Sequence, residues 1–436
     1  MILIHCGKAE KEIVCGGNNT LAERKSDMKN HRGSKADENT TQAKEPLITP
    51  RYCLLILVSF LTAFSYSMIQ TLIASYAVDL GGTLGIAGTL TGIFSAAAMV
   101  CRPVGGALCD VKNKKTICII ATIIFTVGFF GYAVSMNVPM LLLFRVLHGA
   151  AFGVSGTANM ALVAEVIPRE RMGEGLGYFS VGQVVSQVIG PIIGIALQGV
   201  LGFKLLFLFV GFVCSVAVIV LIFMPMDPPL RKTDQNSSAF RFHISLRDLI
   251  AVECIAYALT GGMFSMLNGV TSSFLVMVGE QRGIGHIALF FTVNAIILFI
   301  VRLLMGKVSD SAPLLWVVSI SLAVSMTSML LLSKAGTLSI VLIAAVFKAL
   351  GQGSGQISLQ SACIKSVDEH HVGVASSTYF IGADIGNSVG PMLGGAISGT
   401  LGYEVMFRDV GMITFATIIV FALYEQNVKR SNDVNN

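Results

Sequence analysis

Apolar runs of about twenty residues recur along most of this chain, and a run of that length crosses a bilayer as one helix. Only 13% of the residues are charged, 54% are hydrophobic and the mean hydropathy is +0.75. Soluble proteins carry about 25% charged residues, so the charge here is too sparse to coat a soluble surface of this length. Barrel strands would alternate in segments of about ten residues, and runs such as 340–347 do not. The chain is therefore expected to be an all-α polytopic membrane protein.

A second feature organises these runs. Arg102, Gly106 and Asp110 stand at i, i+4 and i+8, and Arg302, Gly306 and Asp310 repeat them 200 residues later. Gly182, Gly190, Pro191 and Gly194 recur at the same offset as Gly382, Gly390, Pro391 and Gly394. The chain thus reads as two related halves in parallel orientation, an arrangement on which membrane transporters are built. About twelve spans are expected. The first six lie at 52–78, 86–109, 116–135, 139–164, 172–200 and 204–224. The second six lie at 249–278, 284–309, 314–333, 338–365, 372–400 and 403–425. This gives two six-helix bundles, 51–224 and 249–425, related by a pseudo-two-fold axis along the membrane normal. A polar linker (225–248), a disordered N-terminal tail (1–50) and a short C-terminal tail (426–436) complete the chain. Met28 precedes a charged run leading into the first span, and is read as the true start.

Basic residues sort to one side. Lys112, Lys114, Lys115, Arg169, Arg171, Arg231, Lys232, Arg241, Arg247, Lys429 and Arg430 share it, whereas the opposite loops hold little beyond Lys204, Arg282 and Lys334. By the positive-inside rule both termini are expected in the cytoplasm and the protein in the plasma membrane. The net charge of +5 is modest and spread over loops and tails, which argues against nucleic-acid binding. The nine cysteines are scattered with no C-x-x-C pair, so no metal site is expected. No phosphate-binding loop occurs, and Gly351-Gln-Gly-Ser-Gly355 lies within a span rather than at a nucleophile elbow. Enzyme chemistry and cofactors are not expected. A gradient, not ATP, should drive transport, and the working unit is expected to be a monomer.

The stretch Gly106-Ala-Leu-Cys-Asp110-Val-Lys112-Asn-Lys114-Lys115 closes the second span on the basic side. It resembles the loop signature of the major facilitator superfamily, Gly-x-x-x-Asp-Arg/Lys-x-Gly-x-Arg/Lys-Arg/Lys. Val111 replaces a usual basic residue, for which Lys112 can substitute. Asn113 replaces a usual glycine, and asparagine tolerates the left-handed backbone. In the second half only the Gly306–Asp310 core remains, followed by Ser311-Ala-Pro313. The resemblance implies that this stretch, with Arg102 and Arg302, latches the halves together in an outward-facing state.

Two further stretches carry the same resemblance. Arg145-Val-Leu-His148-Gly149 in the fourth span resembles the Arg-x-x-x-Gly signature tied in proton antiporters to proton transfer. An arginine there costs about 2.5–3.5 kcal/mol, so it should face a cavity or a partner. Gly182-x3-Ser186-x3-Gly190-Pro191-x2-Gly194 in the fifth span resembles the drug:proton antiporter signature. Ser186 takes one glycine place, and the fuller form, with Gly386 and Pro391, stands in the eleventh span. Such stripes suit close helix packing and let helices rock against each other.

Asp384 lies near the midplane of the eleventh span, where an acid tends to hold a proton. It leads the candidates for proton coupling, with Arg145 as its charge partner, Glu253 second, and His148 as a possible relay. Within the superfamily the cavity is lined by the first, fourth, seventh and tenth spans. Here these offer Tyr66, Gln70, Asn159, Tyr257, Asn268, Gln352 and Gln356 amid Met-rich walls, which suit amphiphilic ligands. The resemblance implies a transporter moving a small molecule by alternating access, with proton-coupled export of an amphiphilic compound as the first reading. Uptake by symport or uniport is the alternative, and a non-transporting membrane sensor the rival from another class.

Overall fold

The computed structural model describes residues 46–82, 84–225 and 249–435. The Met28 start, nearly all of the expected N-terminal tail and nearly all of the linker lie outside these ranges. Helix α1 is Pro50–Gln70, followed after a break at Thr71 by a short helix, Ile73–Asp79. Then come α2 (Leu84–Val111), α3 (Lys114–Val134) and α4 (Val138–Val166). Met172–Phe223 is one helical run broken at Gly202, whose two limbs are α5 and α6. The second half has α7 (Ile255–Gln281), α8 (Leu289–Ser311), α9 (Leu314–Ser333) and α10 (Leu338–Lys365). A second broken run, Val372–Asn435, supplies α11 and α12 on either side of Gly402. Among the described residues 10 helical segments are long and apolar enough to span a membrane. The two longest each contain a glycine break, which brings the crossings to the expected twelve.

The breaks also keep the repeat. Gly202 has φ 73°, ψ 171° and Gly402 has φ 85°, ψ 169°. That region of backbone space is open essentially to glycine alone, so each residue turns the chain back between antiparallel helices. Other ends follow local chemistry. Thr49, Asn113 and Asn137 each accept a backbone N–H from the first turn of α1, α3 and α4, satisfying a donor that the helix leaves free. Asn113 sits at φ −61°, ψ 113°. It therefore serves as an extended N-cap, and not in the left-handed conformation expected for it. Two boundaries differ from the sequence reading. Positive φ at Gly283 and His286 delays α8 to Leu289, and α12 continues helically through the expected C-terminal tail to Asn435.

Packing separates the halves in some places and joins them in others. One apolar cluster around Phe125, Phe129, Tyr132 and Phe207 belongs to the first half alone. A larger one around Phe264, Phe290, Met329 and Phe407 has all its buried members in the second. A third, at the end carrying the basic loops, mixes Tyr52, Leu162 and Leu176 with Ile357, Ile364 and Val372. Apolar contact between halves is largest at the basic end, and a small cluster of Val184, Leu298 and Ala349 joins them elsewhere.

The glycine stripes lie on close helix–helix seams. Gly190 and Gly194 press α5 against Ser67 and Met68 of α1, while Gly382, Gly386 and Gly390 press α11 against Ala258, Gly262 and Met266 of α7. Gly182 faces Phe60, Ser186 donates to the carbonyls of Phe60 and Gly182, and Gly394 faces Phe274. These are seams inside each half. The close approaches between halves are α2 on α11 and α8 on α5, and they use other glycines: Gly106, Gly373, Gly173, Gly177 and Gly306.

Candidate functional site

Two carboxylates close the basic end in a symmetric way. Asp110, on the last turn of α2, accepts the N–H groups of Gly373 (2.7 Å) and Val374 (2.9 Å) at the start of α11. Asp310, on the last turn of α8, accepts those of Gly173 (2.8 Å) and Glu174 (2.9 Å) at the start of α5. Each carboxylate meets free N–H donors at the positive end of a helix dipole belonging to the other half. The approach needs glycine. A Cβ on Gly106 would stand 2.7 Å from Ser377 Oγ and 2.8 Å from the Gly373 carbonyl, and one on Gly306 would stand 2.7 Å from Glu174 Cα.

Charged neighbours reinforce this seal. Lys365 pairs with Asp310 at 2.8 Å, Lys307 approaches Glu174 at 3.6 Å, and Arg169 donates to the Val367 carbonyl at 3.0 Å. Lys114 and Lys115 act inside the first half. Lys114 meets Glu165 at 2.6 Å, and Lys115 donates to the Ile222 and Met224 carbonyls at the end of α6. Lys112 is exposed, and no partner of its side chain is seen among the described residues.

Deeper in the bundle one ion pair joins the halves. Arg102 of α2 grips Asp384 of α11, with Nε to Oδ2 at 2.6 Å and Nη2 to Oδ1 at 3.4 Å. The two side chains are 6% and 20% exposed, and the guanidinium lies over the rings of Phe380 (4.9 Å) and Phe152 (5.6 Å). The acid's partner is therefore Arg102, not Arg145. Arg145 is wholly buried elsewhere: its Nε donates to the Leu90 carbonyl (3.1 Å), its Nη1 to Tyr132 Oη (3.4 Å), and its head lies 4.3 Å above Phe94. His148 bonds Tyr132 Oη through Nδ1 at 2.7 Å inside a cage of Phe94, Phe125 and Phe129. Glu253 lies exposed in a single 3₁₀ turn, Val252–Cys254, ahead of α7, because the helix starts later than its apolar run suggests. Neither residue lines the cavity between the halves.

Between the halves lies a cavity of about 220 Å³. Asn268, Gln352 and Gln356, three of the expected cavity residues, line it. Tyr66, Gln70, Asn159 and Tyr257 do not. Tyr66 is stacked between Phe94 and Phe152, Gln70 is exposed at the end of α1, Asn159 is buried within its helix bundle, and Tyr257 packs edge-on against Tyr424. Helix rotation, which a composition list cannot supply, decides these cases. The lining also includes Gln183 and Gln187 of α5, Gln360 of α10, and Tyr379 and Asn387 of α11. The signal for them was present: Gln352, Gln356 and Gln360 stand at i, i+4 and i+8, and Gln187 and Asn387 at the repeat offset.

Arg302 is the largest reassignment. Its counterpart Arg102 holds an acid, but the position matching Asp384 in the first half is Val184. Arg302 therefore leaves the latch and faces the cavity. It donates to the Ser180 carbonyl (3.3 Å) and to Gln356 Oε1 (3.4 Å), and its Nε finds no partner.

The sequence matches the family model described as Major Facilitator Superfamily over residues 55–391 and 315–435. A multi-drug resistance efflux pump, PmrA of Streptococcus pneumoniae, is 26% identical over 375 residues, covering 80% of this chain and 89% of that one. In fold, the human organic anion transporter MFSD10 superposes with a TM-score of 0.74 at 14% identity, covering 86% of this chain and 100% of that one. The transporter FucP, in its outward conformation, gives 0.72 at 18% identity over 87% and 99%.

Proposed function

We propose that this chain, which belongs to the Major Facilitator Superfamily and is thus a multi-pass secondary transporter and not an enzyme, exports a small amphiphilic compound in exchange for protons. The observation that carries the reading is the Arg102–Asp384 pair, an acid held mid-membrane by a cation from the other half. The basic loops are taken as cytoplasmic, so the sealed end faces the cytoplasm and the cavity opens outward. The halves, 51–224 and 249–425, rock as bodies about that cavity.

An ionised Asp384 keeps Arg102 and so favours the outward state. A proton entering from outside neutralises Asp384 and breaks the pair. Removing one member of a buried pair costs about 3–5 kcal/mol, and that cost falls on the outward state, which alone holds the pair. The halves then open to the cytoplasm, substrate enters the cavity, and the proton leaves as the pair re-forms. The similarity to efflux pumps such as PmrA supports the outward direction.

The test uses purified full-length protein in vesicles carrying a trapped pH dye and a panel of lipophilic compounds. Export predicts that substrate and protons move in opposite directions. Asp384→Asn should remove the dependence on the pH gradient while substrate exchange continues. Parallel movement of protons and substrate would identify a symporter. Ligand binding with no flux would identify a sensor, and an unchanged proton dependence would take Asp384 out of the cycle.

A further inference from the structure

Two cations inside the helices of the second half, Arg302 and Lys348, face no carboxylate among the described residues. Arg302 has only a backbone carbonyl and an amide oxygen as acceptors, with Nε unpartnered. Lys348, 3% exposed in the middle of α10, donates to Asn268 Oδ1 (3.0 Å) and Gln352 Oε1 (3.1 Å). The two are ends of one network. Gln352 Nε2 donates to Gln356 Oε1 at 3.4 Å, and Arg302 Nη2 donates to that same oxygen. Arg302, Asn268, Gln352 and Gln356 all line the 220 Å³ cavity, and its lining contains no Asp or Glu. The one mid-membrane acid nearby, Asp384, is already gripped by Arg102.

A charge held only by neutral acceptors is under-compensated, and in a membrane one that also faces a cavity, as Arg302 does, is a candidate for a ligand's counter-charge. We propose that the cavity binds an organic anion, a carboxylate or similar group on an apolar body. The anionic group meets the Arg302 fork and, through the Gln352–Gln356 relay, the field of Lys348. Phe179, Leu298 and Phe380 in the same lining take the apolar body. This names the substrate class of the site argued above and rests on that site being the transport cavity, though not on protons driving it. Exchange of an exported anion for an entering proton moves net positive charge inward, so the cycle is electrogenic.

Two probes of matched shape and opposite charge test it: radiolabelled 2-naphthoate and 2-naphthylmethylammonium. Equilibrium binding is measured on the full-length protein in detergent with no gradient. Wild type should bind naphthoate and discriminate against the cation. Arg302→Gln should weaken naphthoate binding by about 10- to 100-fold, the effect of losing a hydrogen bond to a charged group, and Lys348→Gln, which removes only a field felt through the relay, should weaken it less. Arg302→Lys should retain part of it, and a monodisperse elution profile with unchanged melting temperature shows that the variants are folded. Preference for the cation, no naphthoate binding by wild type up to its solubility limit, or undiminished binding in both glutamine variants would overturn the proposal. Flux in vesicles then separates the two readings: naphthoate binding without proton exchange leaves this assignment standing and sinks the coupling.

Discussion

Asp110→Asn probes whether the two carboxylate latches report a single conformational equilibrium. In the structure Asp110 accepts two backbone N–H groups at 2.7 and 2.9 Å at the start of α11. Asparagine keeps one acceptor oxygen, loses the other, and removes the charge facing the helix dipole. Hydrogen bonds to charged groups are worth about 1.5–3 kcal/mol each, and the dipole adds about 0.3–1. One bond lost and one weakened thus amount to about 2–3 kcal/mol against the closed state. That is roughly a 30- to 150-fold shift toward opening at the basic end. Amide hydrogen exchange reads this directly, because the Gly373 and Val374 amides are protected through Asp110. Their exchange should quicken by that factor in the intact protein in lipid nanodiscs. The amides of Gly173 and Glu174, held by the unmutated Asp310, should quicken as well if, as proposed, the halves rock as bodies and part both latches together. Unchanged rates at Gly373 and Val374 would refute the capping role. Faster exchange there, with none at Gly173 and Glu174, would refute the coupling of the latches.

Two other predictions concern the scaffold. Gly202→Ala and Gly402→Ala should each lower the thermal unfolding temperature by an amount equivalent to about 1–3 kcal/mol. The strain is in the backbone alone, because nothing lies within 4 Å of the added Cβ at either site, and an unchanged melting temperature would contradict it. His148→Gln should lower stability by about 1–3 kcal/mol through lost packing in its aromatic cage, while the pH profile of transport stays as in wild type. A displaced profile would return His148 to the proton path.

The Gly-x3-Asp half of each contact at the basic end was legible in the sequence, because it lies within one helix turn; the N–H groups it meets lie far away in the chain. A glycine one turn before an aspartate at a helix end is a local pattern, and its recurrence at Gly306 and Asp310 survived the loss of the basic turn. What that turn's cations touch was not legible. Lys114 and Lys115 bind within their own half, and Arg102, grouped with the latch by spacing, pairs with an acid 282 residues away. The pairing of Asp384 with Arg145 failed for the same reason. Both residues are buried and both require a partner, but depth along a helix says nothing about which face points where.

The number of crossings, their order, the two-fold repeat and the helix-breaking glycines follow from the chain alone. Each arises from the length of an apolar run or from the backbone freedom of one residue. Which cation neutralises the acid, and which faces the cavity without one, emerges only when the copies pack. Val184 and Asp384 occupy matching places, so identical arginines at 102 and 302 meet different neighbours. A charge in low dielectric is governed by what lies within a few ångströms of it, and that shell is assembled from helices distant in sequence.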